Sequence, residues 1–314
     1  MGGAFFRSAL GRPKPARPPR KGRKPLVYEL RFPRLRDENG RVQDFVLEGN
    51  LLSAAGVLTG EKFPLDALAE IFPEAESVAV LVDARAGTPY TRVFATRLAR
   101  ALVEMGLPAN DVRILAERDE ELVAGGYTLV RRGRGPFCHG TRPVPGYGEA
   151  VQIPGAAGRV RLSRAATPRK ARRLAVVASL ASEDDRMAPF VIDAALSILD
   201  EESRARALKD PVFGAKVIAS DSIGGRIEMV LGDLVEVKLA RKTNGSAQPT
   251  WRADEILAGF SAFAVERIGH RILSNTRAAR GLGSVPPHPI LEAAESLGLE
   301  QTRIESIDWR KGSL

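Results

Sequence analysis

SVAVLVDARAGTPYTRVFATRLARALVEMGLPANDVRIL, residues 77–115, decides the fold. It opens on an unbroken apolar run, Val78 to Val82, too short for a helix core and typical of a strand covered on both faces. Thr88 followed by Pro89 predicts a helix start, because the hydroxyl can cap the first turn and proline has no N–H to lose there. Val93, Phe94, Arg97, Ala101 and Leu102 then recur at helical spacing until Gly106. Asp111 to Leu115 reads as a second strand. Asp83 is an acid between a buried strand and a helix start, where α/β proteins place ligands, although capping or turn formation accounts for it too.

Working outward, a short helix is expected around Leu65, Leu68, Ala69 and Phe72. Before it, LVYELRFPRL and RVQDFVLEG flank Asn39-Gly40 and predict a hairpin, since both turn residues tolerate positive φ. After it, YTLVR (127–131) predicts a strand and Asp119 to Glu121 a solvated turn. Residues 131–173 hold seven glycines and five prolines and predict a linker without long regular elements, although VRLSR could form a short strand. LAVVASL (174–180) opens a second run of elements. Ser182, with Asp185 three residues on, predicts a helix carrying Met187, Phe190, Val191, Ala194 and Ile198, which makes Glu183, Asp184 and Asp185 helix-start acids. AKVIAS, GRIEMVL and LVEVKLARK read as strands with a turn at Gly232-Asp233. Helices are expected near 253–273 and 290–297, and TRIESIDW as a closing strand.

The fold class is therefore α+β: a disordered basic tail (1–24), an α/β unit (25–130), a basic linker (131–173) and an α+β unit (174–314). The net charge of +9 is uneven: the four segments carry +8, −6, +10 and −3 in that order. Arg12, Lys14, Arg17, Arg20, Lys21, Arg23 and Lys24 form one cationic cluster, and Arg131, Arg132, Arg134, Arg169, Lys170, Arg172 and Arg173 another. Arginine-rich flexible segments gain by releasing counterions from a polyanion, and Phe137 or Tyr147 could stack on unpaired bases. The leading expectation is thus a non-enzymatic binding or assembly protein that contacts nucleic acid or another polyanion, its folded units supplying protein contacts. Solvation of loops by arginine is the plainer reading.

Residues 65–118 resemble the OmpA-like domain in the order helix, proline turn, strand, Asp, Gly-Thr-Pro-Tyr turn, Arg/Ala-rich helix, Gly, strand. That resemblance implies peptidoglycan binding or a place in a secretion apparatus, with Asp83 and Arg97 on the ligand; Arg97 stands one residue before the family's arginine. A hydrolase or transferase using Asp83 with Glu183–Asp185 is a third expectation.

Several classes are disfavoured. No apolar run is long enough to span a bilayer, and MGGAFFRSALGR lacks the long apolar stretch of a secretory signal, so a cytoplasmic protein is expected. The single cysteine, Cys138, excludes an intramolecular disulfide. Cys138-His139, His270 and His288 have no zinc-site spacing, so no metal is expected, and His270 reads as a helix-surface residue. GLGS (281–284) and SIGGR (222–226) lack the phosphate-loop lysine and spacing, so no cofactor is expected and both read as turns.

Overall fold

The computed structural model describes residues 24–73, 75–83, 88–129, 137–140, 147–156, 158–183, 186–187, 190–240, 248–299 and 302–314. Its strands are β1 (Leu26–Arg31), β2 (Val78–Val82), β3 (Val112–Ala116), β4 (Phe137–Gly140), β5 (Tyr147–Gln152), β6 (Arg159–Ser163), β7 (Arg173–Glu183), β8 (Arg186–Met187), β9 (Ile227–Lys238), β10 (Thr250–Trp251), β11 (Glu255–Gly259) and β12 (Asp308–Ser313). One sheet runs β12-β1-β11-β9-β7-β2-β3-β4; β8 and β10 pair at its margins and β5-β6 form a separate hairpin. Every neighbouring pair along that path is parallel except the two made by β11.

The strands read as apolar runs because both faces are covered. Val78, Val80 and Val82 enter one core with Ala175, Val177 and Leu231, while Ala79 and Leu81 enter the other with Leu174, Val176 and Ala178. The first core lies under α1 (Asp44–Thr59), α2 (Pro64–Ile71), α3 (Pro89–Glu104) and α4 (Asp119–Ala124). The second lies under α5 (Val191–Leu196), α6 (Glu201–Lys209), α7 (Pro211–Ala219), α8 (Ala262–Ala279) and α9 (Pro289–Ser296).

This layering corrects the expected division at 130 and 174. β2 pairs with β7 over Val78↔Arg173 to Val82↔Val177, and β1 sits between β11 and β12, so both proposed units build one sheet. The basic linker is corrected as well where it is described. Residues 147–156 and 158–173 form the β5–β6 hairpin and a packed turn, with Ile153, Val160, Leu162, Ala165 and Ala166 buried. Arg226, itself buried, fastens that turn by donating to the carbonyls of Ala166 (2.8 Å) and Ala171 (2.7 Å), and burial lowers its pKa to about 10.

Local readings fail where tertiary burial overrides a short pattern. The Asn39-Gly40 turn exists, with Gly40 at φ 76° and Asp37 accepting from the amides of Asn39 and Arg41, but Asp44 opens α1 rather than a return strand. Leu47, Leu51, Ala54, Ala55 and Leu58 bury its helical face. AKVIAS belongs to α7, which Asp210 caps and Pro211 starts. The helix expected from residue 253 begins at Ala262, capped by Ser261, because EILAG is needed as β11 between β9 and β1. Beyond Ser182 the chain continues as β7 and turns into β8, so α5 begins only at Val191. Asp119 to Glu121 form the first turn of α4, and residues 130 and 131 of the strand expected over 127–131 lie outside the described residues.

Gly232-Asp233 is no turn either: β9 runs through it. A Cβ on Gly232 would lie 2.8 Å from Cζ of Phe190, and one on Gly269 of α8 would lie 2.6 Å from its Cε1. Phe190 is fully buried between β9 and α8 and sets how closely they approach. Gly269→Ala is expected to lower unfolding stability by about 1–3 kcal/mol through overpacking. Phe190→Leu in the same chain should recover part of that loss, as read from urea midpoints.

Candidate functional site

The helix following β2 lies on one face of the sheet and the helices following β7 lie on the other. In sheets of this kind ligands bind outside the carboxyl ends of the strands at such a reversal. Because β7 and β9 run on past Val82, their extra length walls the end of β2. The residues at that end form two groups, one on each face.

On the α3 face the sequence prepares a tight cap. Thr88 accepts from the amides of Tyr90 and Thr91 (3.2 Å each), and the amide of Thr88 donates to Thr91 Oγ1 (3.1 Å). Both hydroxyls then donate to Oδ2 of Asp233, Thr88 at 2.5 Å and Thr91 at 2.7 Å, while Oδ1 accepts from the Val235 amide. Asp233 is 1% exposed, and burial raises its pKa against the pull of these donors. Ser179 stands opposite it in the ladder, equally buried, with no partner for its hydroxyl among the described residues. Burial and the nearby Glu236 raise the Tyr90 phenol, against the attraction of Arg36. Arg36 itself is held by Asp254 at 2.8–3.0 Å.

On the opposite face, Asp83 and Glu117 follow the paired ends of β2 and β3, one step beyond the Val82 and Ala116 positions. Glu117 forms an ion pair with Arg204 of α6, whose other side reaches Asp193 of α5 at 3.9 Å. Asp193 Oδ2 is 3.4 Å from Nε2 of His288, and His288 Nδ1 accepts from the Ile290 amide, capping α9. Behind them Glu266 of α8 is fully buried. Its Oε2 accepts from the Ile192 amide (3.0 Å), and its Oε1 has no partner among the described residues. Burial pushes the Glu266 pKa up to about 7, with His288 pulling the other way. Burial alone would lower His288, but Asp193 and Glu266 outweigh it and raise it. The array therefore holds a buried acid pushed up to about 7 and an imidazole raised by its carboxylate neighbours, beside two carboxylates at the strand ends.

Of the expected site residues whose side chains are described, Asp83 belongs to this region. Arg97 instead lies along α3, its guanidinium taken by Glu104 (3.0 Å) and, at 3.9 Å, by Glu48 of α1. The cationic residues from Arg12 to Arg23, Arg131, Arg132 and Arg134 lie outside the described residues, as do Asp184, Asp185 and the side chains of Cys138, His139 and Glu183. Lys24 donates to the Glu305 carbonyl. Arg169 and Lys170 are exposed, Arg172 pairs with Glu76 (3.2 Å) and Arg173 with the half-buried Glu228 (2.5 Å). His270 is partly buried rather than on the surface: its Nε2 meets the Val285 carbonyl at 2.8 Å, and burial lowers its pKa. Among the described residues no three His, Cys, Asp or Glu side chains are grouped to hold a metal ion. Glu117, Asp193, Arg204, Glu266, His288 and Asp233 escaped the sequence reading. The available signals were an acid inside the apolar run of β9 and another, Glu266, among the buried positions of α8. Compared with known proteins, the chain matches no family model and no curated sequence.

The buried carboxyl makes stability depend on pH. Below its ordinary pKa of 4.5 Glu266 is protonated in both folded and unfolded chains. Between 4.5 and about 7 only the unfolded chain releases the proton, so stability falls as pH rises, and above 7 the loss levels off. His288 acts in the same direction, since a raised imidazole stabilises fully below 6.5 and ceases to do so as pH passes its folded value. Glu266→Gln is expected to be more stable than the parent at pH 8, by on the order of 3 kcal/mol, and equal to it near pH 4.5. An identical gap in urea midpoints at both pH values would show that Glu266 does not titrate in this range.

Proposed function

We propose that the chain binds a small-molecule ligand at the carboxyl ends of β2, β7 and β9, with Asp83 and Glu117 as the acid–base groups nearest to it. The observation that carries this reading is the reversal of helix placement between β2 and β7, the point at which sheets of this kind bind ligands. The clustering of buried, pKa-shifted groups around the same strand ends supports it, because such groups are costly to bury and gather where chemistry or recognition needs them. Adjacent carboxyl groups in different surroundings are suited to giving and taking a proton.

A thermal-shift screen of metabolites against the full chain tests this. At least one compound should raise the melting temperature, and Asp83→Asn and Tyr90→Phe should each cut its affinity about tenfold or more, the loss of one good polar contact. Compounds that bind both variants as well as the parent would place the site elsewhere.

A second reading, contact with a nucleic acid or another polyanion, is favoured by the outward-facing Arg159, Arg161, Arg164, Arg169 and Lys170, among which Arg169 and Lys170 have no ion pair between described side chains. Reversing Arg169 and Lys170 to Glu should weaken binding of a single-stranded oligonucleotide and lower the log–log salt slope by about two. Anisotropy titrations at several salt concentrations measure both, and unchanged slopes would remove these residues from any such contact. The OmpA-like reading stays tied to Asp83 alone, and binding to purified peptidoglycan that Asp83→Ala abolishes would favour it.

A further inference from the structure

We infer that the cationic surface of β6 and the turn after it takes single-stranded nucleic acid, with phosphates on the arginines and an unpaired base on the ring of Tyr147. The inference rests on the second, polyanion reading above and narrows it to one class of partner.

The cations stand on a braced backbone. Along β6, Arg159 and Arg161 face outward while Val160 and Leu162 are buried, so the two side chains leave the strand about 6.6 Å apart. That is of the order of the distance between neighbouring phosphates in an extended strand. Arg164, Arg169 and Lys170 follow in the turn before β7, all exposed. Ala165 and Ala166 anchor this turn in the core, and the amides of Lys170 and Ala171 donate to the Thr167 carbonyl (2.8 and 2.9 Å). Arg113 of β3 donates to the Lys170 carbonyl (2.8 Å), and Arg226 holds the turn from inside. Only the side chains remain to be ordered by a ligand, which lowers the cost of binding.

Residues 147–173 hold seven Arg or Lys and a single acid, Glu149. Arg172 is neutralised by Glu76 and Arg173 by Glu228, and the side chains of the other five make no ion pair or hydrogen bond among the described residues. Acids border the surface without entering it. Asp200, Glu201 and Glu202 open α6, which meets the backbone edge of β6 through the Asp200 amide on the Arg161 carbonyl (3.0 Å) and the Arg161 amide on Ser203 Oγ (3.1 Å). Asp221 packs against Gly225, beside Arg226. Residues 130–136 and 141–146, outside the described residues, contain four arginines and no acid, so they bring no negative charge.

Tyr147 is the independent sign of what the anion is. It pairs with Ser163 across the hairpin, next to Arg164, and the following Gly148 lies so close to the turn that a Cβ on it would be 2.7 Å from Thr167 Cγ2. The half-buried Tyr147 ring stacks on no ring or cation among the described residues. A duplex keeps its bases stacked on one another, whereas an unpaired base gains by lying on an open aromatic face. A membrane surface would need an apolar side chain to insert, and none of the large ones is exposed among the described residues of 147–173. Four of the five unpaired cations are arginines, whose planar fork matches a phosphate.

The test is fluorescence anisotropy of the full chain at several salt concentrations with labelled oligo-dT, an abasic single strand of the same length and a duplex of that length. Oligo-dT should bind about tenfold or more tighter than either of the others. Tyr147→Leu, which keeps an apolar body and loses the ring, should bring oligo-dT down to the affinity of the abasic strand without changing the salt slope, and Tyr147→Phe should bind as the parent does. Arg159→Gln combined with Arg161→Gln should lower the slope by about 1.4, or about 0.7 for each phosphate contact on a single strand. Circular dichroism and a cooperative melt establish that the variants are folded, and if Tyr147→Leu is not, oligo-dT against the abasic strand decides on the parent alone. Equal binding of all three probes, a preference for the duplex, or unchanged oligo-dT binding in Tyr147→Leu overturns this inference and leaves the polyanion reading standing. An unchanged slope in the double arginine variant also overturns it, by taking β6 out of the contact. Failure of the parent to bind any of the probes removes the polyanion reading itself.

Discussion

The parallel pairing of β2 with β7 is the contact on which the rest of the molecule depends. It joins Val78–Val82 to Arg173–Val177, segments separated by the whole of α3, β3, α4, β4 and the β5–β6 hairpin. A parallel pair cannot be closed by a tight turn, so both strands must be followed by crossovers that cover the sheet, and here the two crossovers take opposite faces. From that single pairing follow the two cores, the continuous apolar character of both strands, and the reversal of helix placement at the end of β2. The margin of the pair is fastened by Ser77, whose hydroxyl and carbonyl receive the amides of Arg172 and Arg173 (3.1 and 3.2 Å).

The ion pairs around the strand ends are poor candidates for stability in their own right. Removing charges from water costs several kcal/mol for each ion, and a buried pair restores this only with favourable geometry and further hydrogen bonds. Glu266 leaves one oxygen without a partner among the described residues, and Arg204, paired closely with Glu117, reaches Asp193 only at 3.9 Å. A core optimised for stability alone would put leucine or methionine at such positions. The network nevertheless links β3, α6, α5, α9 and α8 in sequence, so the charge state of Glu266 bears on the elements that hold Asp193 and Glu117 in place.

How much of this was legible depends on whether a signal is local. The strand, capped helix and strand of residues 77–115 were readable because each element satisfies its own rules: an apolar run, a threonine-proline start, a glycine stop. α9 was readable for the same reason, whereas the closing strand expected over TRIESIDW begins only at Asp308, because residues 304–306 form a 3-10 turn. The joining of the halves was not, since nothing in VAVLV or LAVVASL names its partner, and a Gly/Pro-rich stretch with +10 of charge looks like a boundary even where it folds as a hairpin. The site was half legible. Asp83 could be found from its place after an apolar run, whereas Glu117, Asp193, Arg204 and His288 come from four elements whose convergence only the tertiary fold supplies.

Gly232 and Asp233 show why the misreadings collect at this end of the sheet. In the middle of a twelve-residue strand, glycine weakens the ladder and a buried acid must be desolvated, so local rules place a turn there. The strand persists because each residue has a long-range counterpart. Gly232 leaves room for the Phe190 ring between β9 and α8, and Asp233 receives the two threonines that start α3. Two residues that disfavour their own element thus set the distance of α8 on one face and the seating of α3 on the other. Natural sequences break local rules chiefly where function needs the result, and the break here falls at the carboxyl end of β2, between the two faces that α3 and α8 cover.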